Sequence, residues 1–290
     1  MTYDLIFMTT CIDNRYMEKL LYSIALNNNV LSVCVIVLLQ NNVTADYAAY
    51  KTKNTNIILL YESQKLNLSV ARNILVKYVR DEGILANYVM FPDDDSSFDS
   101  YFFRNFSRII VGNSLINVFC TGTRNIYQAA FRKKIKEGQT SDFKLAMSVN
   151  MVLTYQTFME VGYFDENMGV GALYGAGEDG DYFIRACQSS GTPFKIVYDL
   201  WNFHPASKDK YKLMSLRTLI KRYRSYGEGV IYLCYKHKLY SQAMLCIFSG
   251  IVGAFVALLS LNFKLLVARA NGTYCRLSLF LHLCFSRKCI

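Results

Sequence analysis

The sequence predicts an α/β sandwich around a mostly parallel central sheet, followed by a C-terminal helical segment associated with a membrane. Strand-like and helix-like stretches alternate through the first 120 residues, the rhythm of helices covering a sheet. Continuous β-branched apolar runs such as "LSVCVIVLLQ" (31–40) suit strands buried on both faces, as in parallel sheets. Between Lys238 and Lys264 lie 25 residues without a charge, "LYSQAMLCIFSGIVGAFVALLSLNF"; about 20 apolar residues suffice for a helix to cross the hydrocarbon core.

Taken in order, "DLIFMTT" (4–10) reads as a strand and "RYMEKLLYSIALNN" (15–28) as a helix, with Met17, Leu20, Leu21, Ile24 and Leu26 at helical spacing. The buried run 31–40 and "NIILLYE" (56–62) are the next two strands. "SVARNILVKYVRDEG" (69–83) predicts a helix with a serine cap and a glycine stop. "NYVMF" closes the first half as a strand, and "FPDDDSSF" (91–98) follows it directly. Beyond, the spacing predicts a strand, a short helix from about Thr154 to Val161, and a glycine-rich turn over "GVGALYGAGEDGDYFIRACQSSG" that leads into a helix over Tyr182–Cys187. The strand-like "FKIVYDLWNFHP" and a basic, mixed stretch complete a domain predicted to span 1–238, with the apolar and basic segment 239–290 appended.

Charge divides the chain unevenly. Residues 201–290 carry 14 Lys/Arg against 2 Asp/Glu, and residues 1–200 carry 18 against 20, so the rear holds +12 and the front −2 of the net +10. That asymmetry suits an anionic surface. No nucleic-acid-binding module accompanies it, so a membrane surface is the expected partner and nucleic acid is not. A second apolar run, "LSLFLHLCF" (277–285), is too short to span and suits the interface. Nine scattered cysteines, never in CxxC spacing, fit reduced thiols in a cytosolic setting better than a disulfide framework or structural zinc. The first residues lack the basic and long apolar regions of a signal peptide.

Asp93, Asp94 and Asp95 sit side by side at the end of a strand, where ligands gather in α/β sheets. One aspartate would cap a turn or a helix, and three repel one another. Clustered carboxylates suit Mg²⁺ or Mn²⁺, which take few protein ligands and complete their shell with substrate phosphates. The second constellation is "GAGEDGDYFIRA": Gly175 and Gly177 permit close backbone approach to a ligand, and Glu178 and Asp179 stand where a helix begins. A carboxylate there can accept a proton from a hydroxyl or simply complement the helix dipole. His204, in "WNFHP", is one of three histidines and lies 109 residues beyond Asp95; alone it reads as either a structural side chain or a ligand.

Together these stretches resemble the family 2 glycosyltransferases, inverting enzymes of the GT-A fold that use nucleotide-diphosphate sugars. "MTTCIDNRYMEKLLYSI", "LSVARNILVKYV", "YVMFPDDDSSF" as a DxD motif, "MEVGYFDENMGVG", "GAGEDGDYFIRA" as the glycine loop and ED motif, and "FHP" carry the resemblance, over residues 3 to 238. "RYRSYGEGVIYLCYKH" is similar to the tail of polysaccharide-assembly members. The resemblance implies that Asp93 and Asp95 flank a divalent cation on the donor diphosphate, with His204 as a further metal ligand. It implies Asp94 near the donor ribose or sugar, Thr9, Thr10 and Arg72 on the nucleoside and phosphates, and Gly175 and Gly177 lining the donor site. Asp179 becomes the general base and Glu178 its positioning partner. Where the family usually ends its second strand with an aspartate that contacts the base, this chain has Gln40 and Asn41, so a uridine donor is not implied.

The resulting expectation is a metal-dependent inverting hexosyltransferase at the cytoplasmic face of a membrane. It would transfer a sugar from a nucleotide-diphosphate sugar to a glycan or lipid-linked acceptor in cell-surface polysaccharide biosynthesis. A nucleotidyltransferase also uses clustered aspartates on an α/β sheet, but the Gly-rich, Lys-containing phosphate loop it would need near the N-terminus is not found. A catalytically inactive, glycosyltransferase-like binding protein is the other alternative.

Overall fold

The computed structural model describes residues 2–111, 118–124, 140–191, 195–205, 211 and 213–285. The start of the basic segment 208–238 and the last residues of 239–290 lie outside them. Contacts divide the chain into two compact units: Met1–Phe164 with Tyr182–Pro205, and Asp165–Asp181 with Ala206–Ile290.

The first unit holds a seven-stranded sheet: β1 (Thr2–Cys11), β2 (Val33–Leu39), β3 (Thr55–Tyr61), β4 (Leu85–Met90), β5 (Val118–Arg124), β6 (Met151–Thr154) and β7 (Lys195–Phe203). Their spatial order is β3-β2-β1-β4-β6-β5-β7. β6 runs antiparallel to β4 and β5, and the other pairings are parallel. The predicted class, an α/β fold with a mostly parallel sheet, is the one observed. All seven residues of β2 are buried, as its unbroken apolar run requires. β1 lies in register with both neighbours, Met8 opposite Ile36 and Phe7 opposite Met90. The carboxyl ends of β1, β2 and β4 therefore reach one edge. Two antiparallel steps, β4 to β6 and β6 to β5, restore the original direction, so the parallel β7 also ends at that edge.

The helices of this unit are α1 (Met17–Asn27), α2 (Leu68–Asp81), α3 (Ser100–Val111) and α4 (Tyr155–Val161). α3 presents Phe102, Phe103 and Phe106 to Phe7, Tyr88 and Phe98, an aromatic core beneath one sheet face. The cap of α2 differs from the prediction. Asn67, whose side chain accepts from the Val70 amide, is the N-cap, and Ser69 is buried inside the first turn. Gly83 just beyond the helix takes φ +59°, the left-handed stop expected of it. β6 is shorter than the strand read from sequence, because 3₁₀ turns occupy Thr140–Leu145 and Ser148–Asn150.

α5 (Glu178–Ser190) begins four residues before the predicted Tyr182. Glu178, Asp179 and Asp181 fill its first turn, where negative charge favours the helix and offsets Gly180. The second unit contains α6 (Leu216–Lys236), α7 (Tyr240–Leu259) and α8 (Phe263–Phe285), packed on one another. Among the described residues, α7 alone is long and apolar enough to cross a membrane. The run 277–285 is the last part of the 23-residue α8. The seven cysteines with described side chains are free thiols.

Candidate active site

The aspartates follow β4 in a tight turn closed by the Ser96 amide donating to the Asp93 carbonyl at 3.0 Å. Phe91 anchors the turn from below, edge-on to Phe164 and Tyr182 with ring centroids 5.1 and 5.6 Å away. Ser97 and Phe203 exchange backbone hydrogen bonds of 3.0 and 2.9 Å. That bridge fastens the turn to the end of β7 and brings His204 across 109 residues. His204 Nε2 lies 3.3 Å from Asp93 Oδ2 and 3.1 Å from Asp95 Oδ1. Ser148 Oγ donates to Asp93 Oδ1 at 3.2 Å, and Arg72 Nη2 approaches the same oxygen at 3.5 Å. Arg72 is itself buried on α2, its guanidinium 5.3 Å over the Phe164 ring.

Burial disfavours charge on His204, but hydrogen bonds and charges from Asp93 and Asp95 outweigh it and raise its pKa to about 9. The cluster thus holds positive charge between its two carboxylates. One ligand atom from each of Asp93, Asp95 and His204 lies within 4.8 Å of the others. Two ligands of a Mg²⁺ ion at about 2.1 Å can stand at most about 4.2 Å apart. Cis ligands of such an octahedral ion stand about 3.0 Å apart, close to the 3.3 and 3.1 Å that separate His204 Nε2 from Asp93 and Asp95. Carboxylate oxygens suit Mg²⁺ or Mn²⁺, and an imidazole adds preference for a transition metal. The residues fit the cation.

Asp94 stands outside this trio. Its charge acts on Cys11 and Tyr47: burial lifts the Cys11 thiol to about 11, with Asp94 and Asp13 adding to the rise. Thr9 and Thr10 lie at the carboxyl end of β1, opposite Val37 and Leu38. The buried Thr9 hydroxyl has no hydrogen-bond partner among the described residues. Gln40 is buried and accepts from the Leu66 amide at 2.9 Å, a bond that ties the end of β2 to the loop before α2.

The acidic pair Glu178–Asp179 belongs to the second unit. Its loop rests on α6. A Cβ on Gly175 would overlap the Ser225 hydroxyl, and one on Gly229 would overlap the Ala176 backbone. Gly177, at φ +95°, would drive a Cβ to 2.8 Å from Met168 Cε and 3.0 Å from the Gly229 carbonyl. Glu178 is buried and Asp179 half-buried. Two residues on, Asp181 is fully buried, with Lys236 Nζ and His237 Nε2 each 2.8 Å from its Oδ1. Lys236 also reaches Asp165 Oδ2 at 2.7 Å. Burial opposes ionisation of both partners, but their pairing prevails, raising the Lys236 pKa and lowering that of Asp165, which the Asn167 amides also lower.

The structure thus gathers Asp93, Asp95, His204 and Arg72 in one cluster, and Gly175, Gly177, Glu178 and Asp179 in another loop. Sequence reasoning missed Ser148, Asp165, Asp181, Lys236 and His237. The signal was present for three of these: Asp181 completes "EDGD", and Lys236 and His237 end "RYRSYGEGVIYLCYKH".

No family model matches the chain, and no curated protein sequence does. Its fold is similar to that of S. aureus TarS (TM-score 0.54, 11% identity, 81% of this chain and 43% of that one). It is also similar to TarS 1–349 in complex with UDP-GlcNAc (0.54, 10%, 79% and 66%). The mannosyltransferase PcManGT from Pyrobaculum calidifontis, in complex with GDP-Man and Mn²⁺, is a third match (0.56, 10%, 98% and 86%). The chain spans less than half of the longer TarS chain. At such identities the likeness establishes the fold: the α/β fold of these glycosyltransferase structures.

Proposed function

We propose that the protein is a metal-dependent inverting glycosyltransferase of the family 2 type. In this reading residues 1–238 form the transferase domain and 239–290 a membrane-associated segment at the cytoplasmic face. The chain moves a hexose from a nucleotide-diphosphate sugar to a hydroxyl of a glycan or lipid-linked acceptor, in cell-surface polysaccharide biosynthesis. The observation that carries this is the Asp93–Asp95–His204 cluster at the carboxyl edge of the sheet, in a fold whose similar structures hold UDP-GlcNAc, or GDP-Man with Mn²⁺.

Asp93, Asp95 and His204 would hold the cation, with Ser148 and Arg72 fixing the Asp93 carboxylate. Mg²⁺ or Mn²⁺ bound there would offset charge on the leaving diphosphate. Arg72 adds a fixed positive charge beside the phosphates, Thr9 offers its buried hydroxyl, and Thr10, Gly175 and Gly177 complete the donor site. Asp94 contacts the donor ribose or sugar. Asp179 takes the proton from the acceptor hydroxyl as its oxygen attacks the anomeric carbon, and Glu178 positions it. One displacement from the face opposite the leaving group inverts the anomeric centre. Such a base contributes about 10²–10⁴-fold.

The test is a panel of nucleotide sugars with Mn²⁺, read by mass of the released nucleotide. Nucleoside diphosphate from at least one donor is expected. Pyrophosphate release would make the chain a nucleotidyltransferase, and turnover undiminished in Asp179→Asn would remove Asp179 as the base.

A further inference from the structure

α6 carries small residues at 225, 227 and 229, and the two faces they mark are used differently. Ser225 and Gly229 lie four apart on one face, with Gly227 turned away from them. The first face seats the glycine loop that carries Glu178 and Asp179. On the other, a Cβ at Gly227 would stand 2.6 Å from Arg276 Nε of α8. Arg276 Nη1 in turn donates to the Cys246 carbonyl of α7 at 3.1 Å, and Arg269 Nη1 to the Gly253 carbonyl at 2.6 Å. α7 and α8 are thereby stitched into an antiparallel hairpin mounted on the helix that supports the acidic loop.

Only one side of α7 is used in this packing: Ala243, Cys246, Ile247, Gly250 and Ala257 are buried. Its opposite face is apolar and open, with Phe248 63%, Phe255 58% and Leu259 69% exposed. The turn beyond it places Leu261 74% exposed at φ +52°, a costly conformation for leucine and a costly place for it in water. Lys238 and Lys264 bracket the open face, and no Asp or Glu follows Glu228 in the chain. Apolar area bounded only by cations is complementary to an anionic bilayer surface. Crossing the bilayer would draw Arg269 and Arg276 into hydrocarbon alongside α7, whereas lying in the interface keeps both guanidinium groups at headgroup level.

We propose that the α7–α8 hairpin docks in one leaflet of an anionic membrane without crossing it, and that α6 rigidly couples this docking element to the Glu178–Asp179 loop. The consequence for catalysis, that Asp179 is presented to acceptors held in that membrane, rests on the function proposed above.

Flotation of the purified full chain with vesicles tests this. Binding to phosphatidylglycerol–phosphatidylcholine vesicles is expected to exceed binding to phosphatidylcholine alone by about 10-fold or more. The double substitution Phe248→Glu/Phe255→Glu, at exposed positions, should weaken it by about 100-fold or more with an unchanged circular dichroism spectrum. A protease-cleavable tag inserted in the turn between α7 and α8, after Leu261, should remain open to external protease on vesicle-bound protein. Equal flotation of the double variant, a protected tag, or an absence of vesicle binding would overturn the proposal. So would a wild-type dimer that the double variant dissociates, since a second copy would then cover the face. Nucleotide release is measured separately: docking without turnover leaves this inference standing and removes the function.

Discussion

Replacing Lys236 by methionine tests the clasp beneath the acidic loop. Methionine keeps the apolar stem and removes only the charge. It leaves the fully buried Asp181 with the His237 hydrogen bond and Asp165 with the Asn167 amides. Breaking a buried pair by deleting one partner costs about 3–5 kcal/mol. Lys236 is 31% exposed and His237 still contacts Asp181, so the lower end, about 3 kcal/mol, is expected. At about 2.1 cal/mol/K of unfolding entropy per residue over 290 residues, each kcal/mol is worth about 1.6 °C, so melting should fall by about 5 °C. Denaturant titration of Lys236→Met, Asp181→Asn and the double variant completes a mutant cycle. The double variant should regain up to about 2 kcal/mol over additivity, because Asp181→Asn removes the buried charge that Lys236 had offset. Because Asp181 lies two residues after Asp179, kcat should fall with the donor KM little changed. A loss under about 1 kcal/mol, or strict additivity, would refute the clasp as a buried charge pair.

Two further outcomes follow from the same unit. Gly229→Ala forces a methyl into the Ala176 backbone and should cost about 1–3 kcal/mol while lowering turnover and sparing nucleotide-diphosphate affinity measured by calorimetry. Acid should also act here: Asp165 is held below its usual 3.8 in the folded protein. Its contribution is complete above 3.8 and is lost as pH falls through the folded value. Lys236→Met should therefore move the acid-unfolding midpoint to higher pH, followed by circular dichroism.

The elements most legible in the sequence were those whose apolar period leaves no alternative. β2 is buried on both faces and its sequence is apolar throughout; α7 is free of charge from end to end. Asp93 and Asp95 declared themselves because adjacent carboxylates after a strand have few other uses. Helix limits were harder to read. Asn67 and Ser69 are both good caps, and only the bond to Val70 separates them. The early start of α5 depends on the Asp181 amide closing on the Gly177 carbonyl, with α6 holding the loop in place.

The sequence alone determined the α/β class, the acidic turn after β4, the glycine-rich ED loop and the apolar, cationic C-terminus, because each is written in contiguous residues through period, composition and charge. Only the tertiary structure decided that His204 meets Asp93 and Asp95, since that depends on strand directions across β6 and β5 and on the bridge from Ser97 to Phe203. It likewise decided that Lys236 pairs with Asp181 while His237 hydrogen-bonds it, and that the small residues of α6 serve two faces. Contacts between residues tens of positions apart are set by packing, which no local pattern encodes.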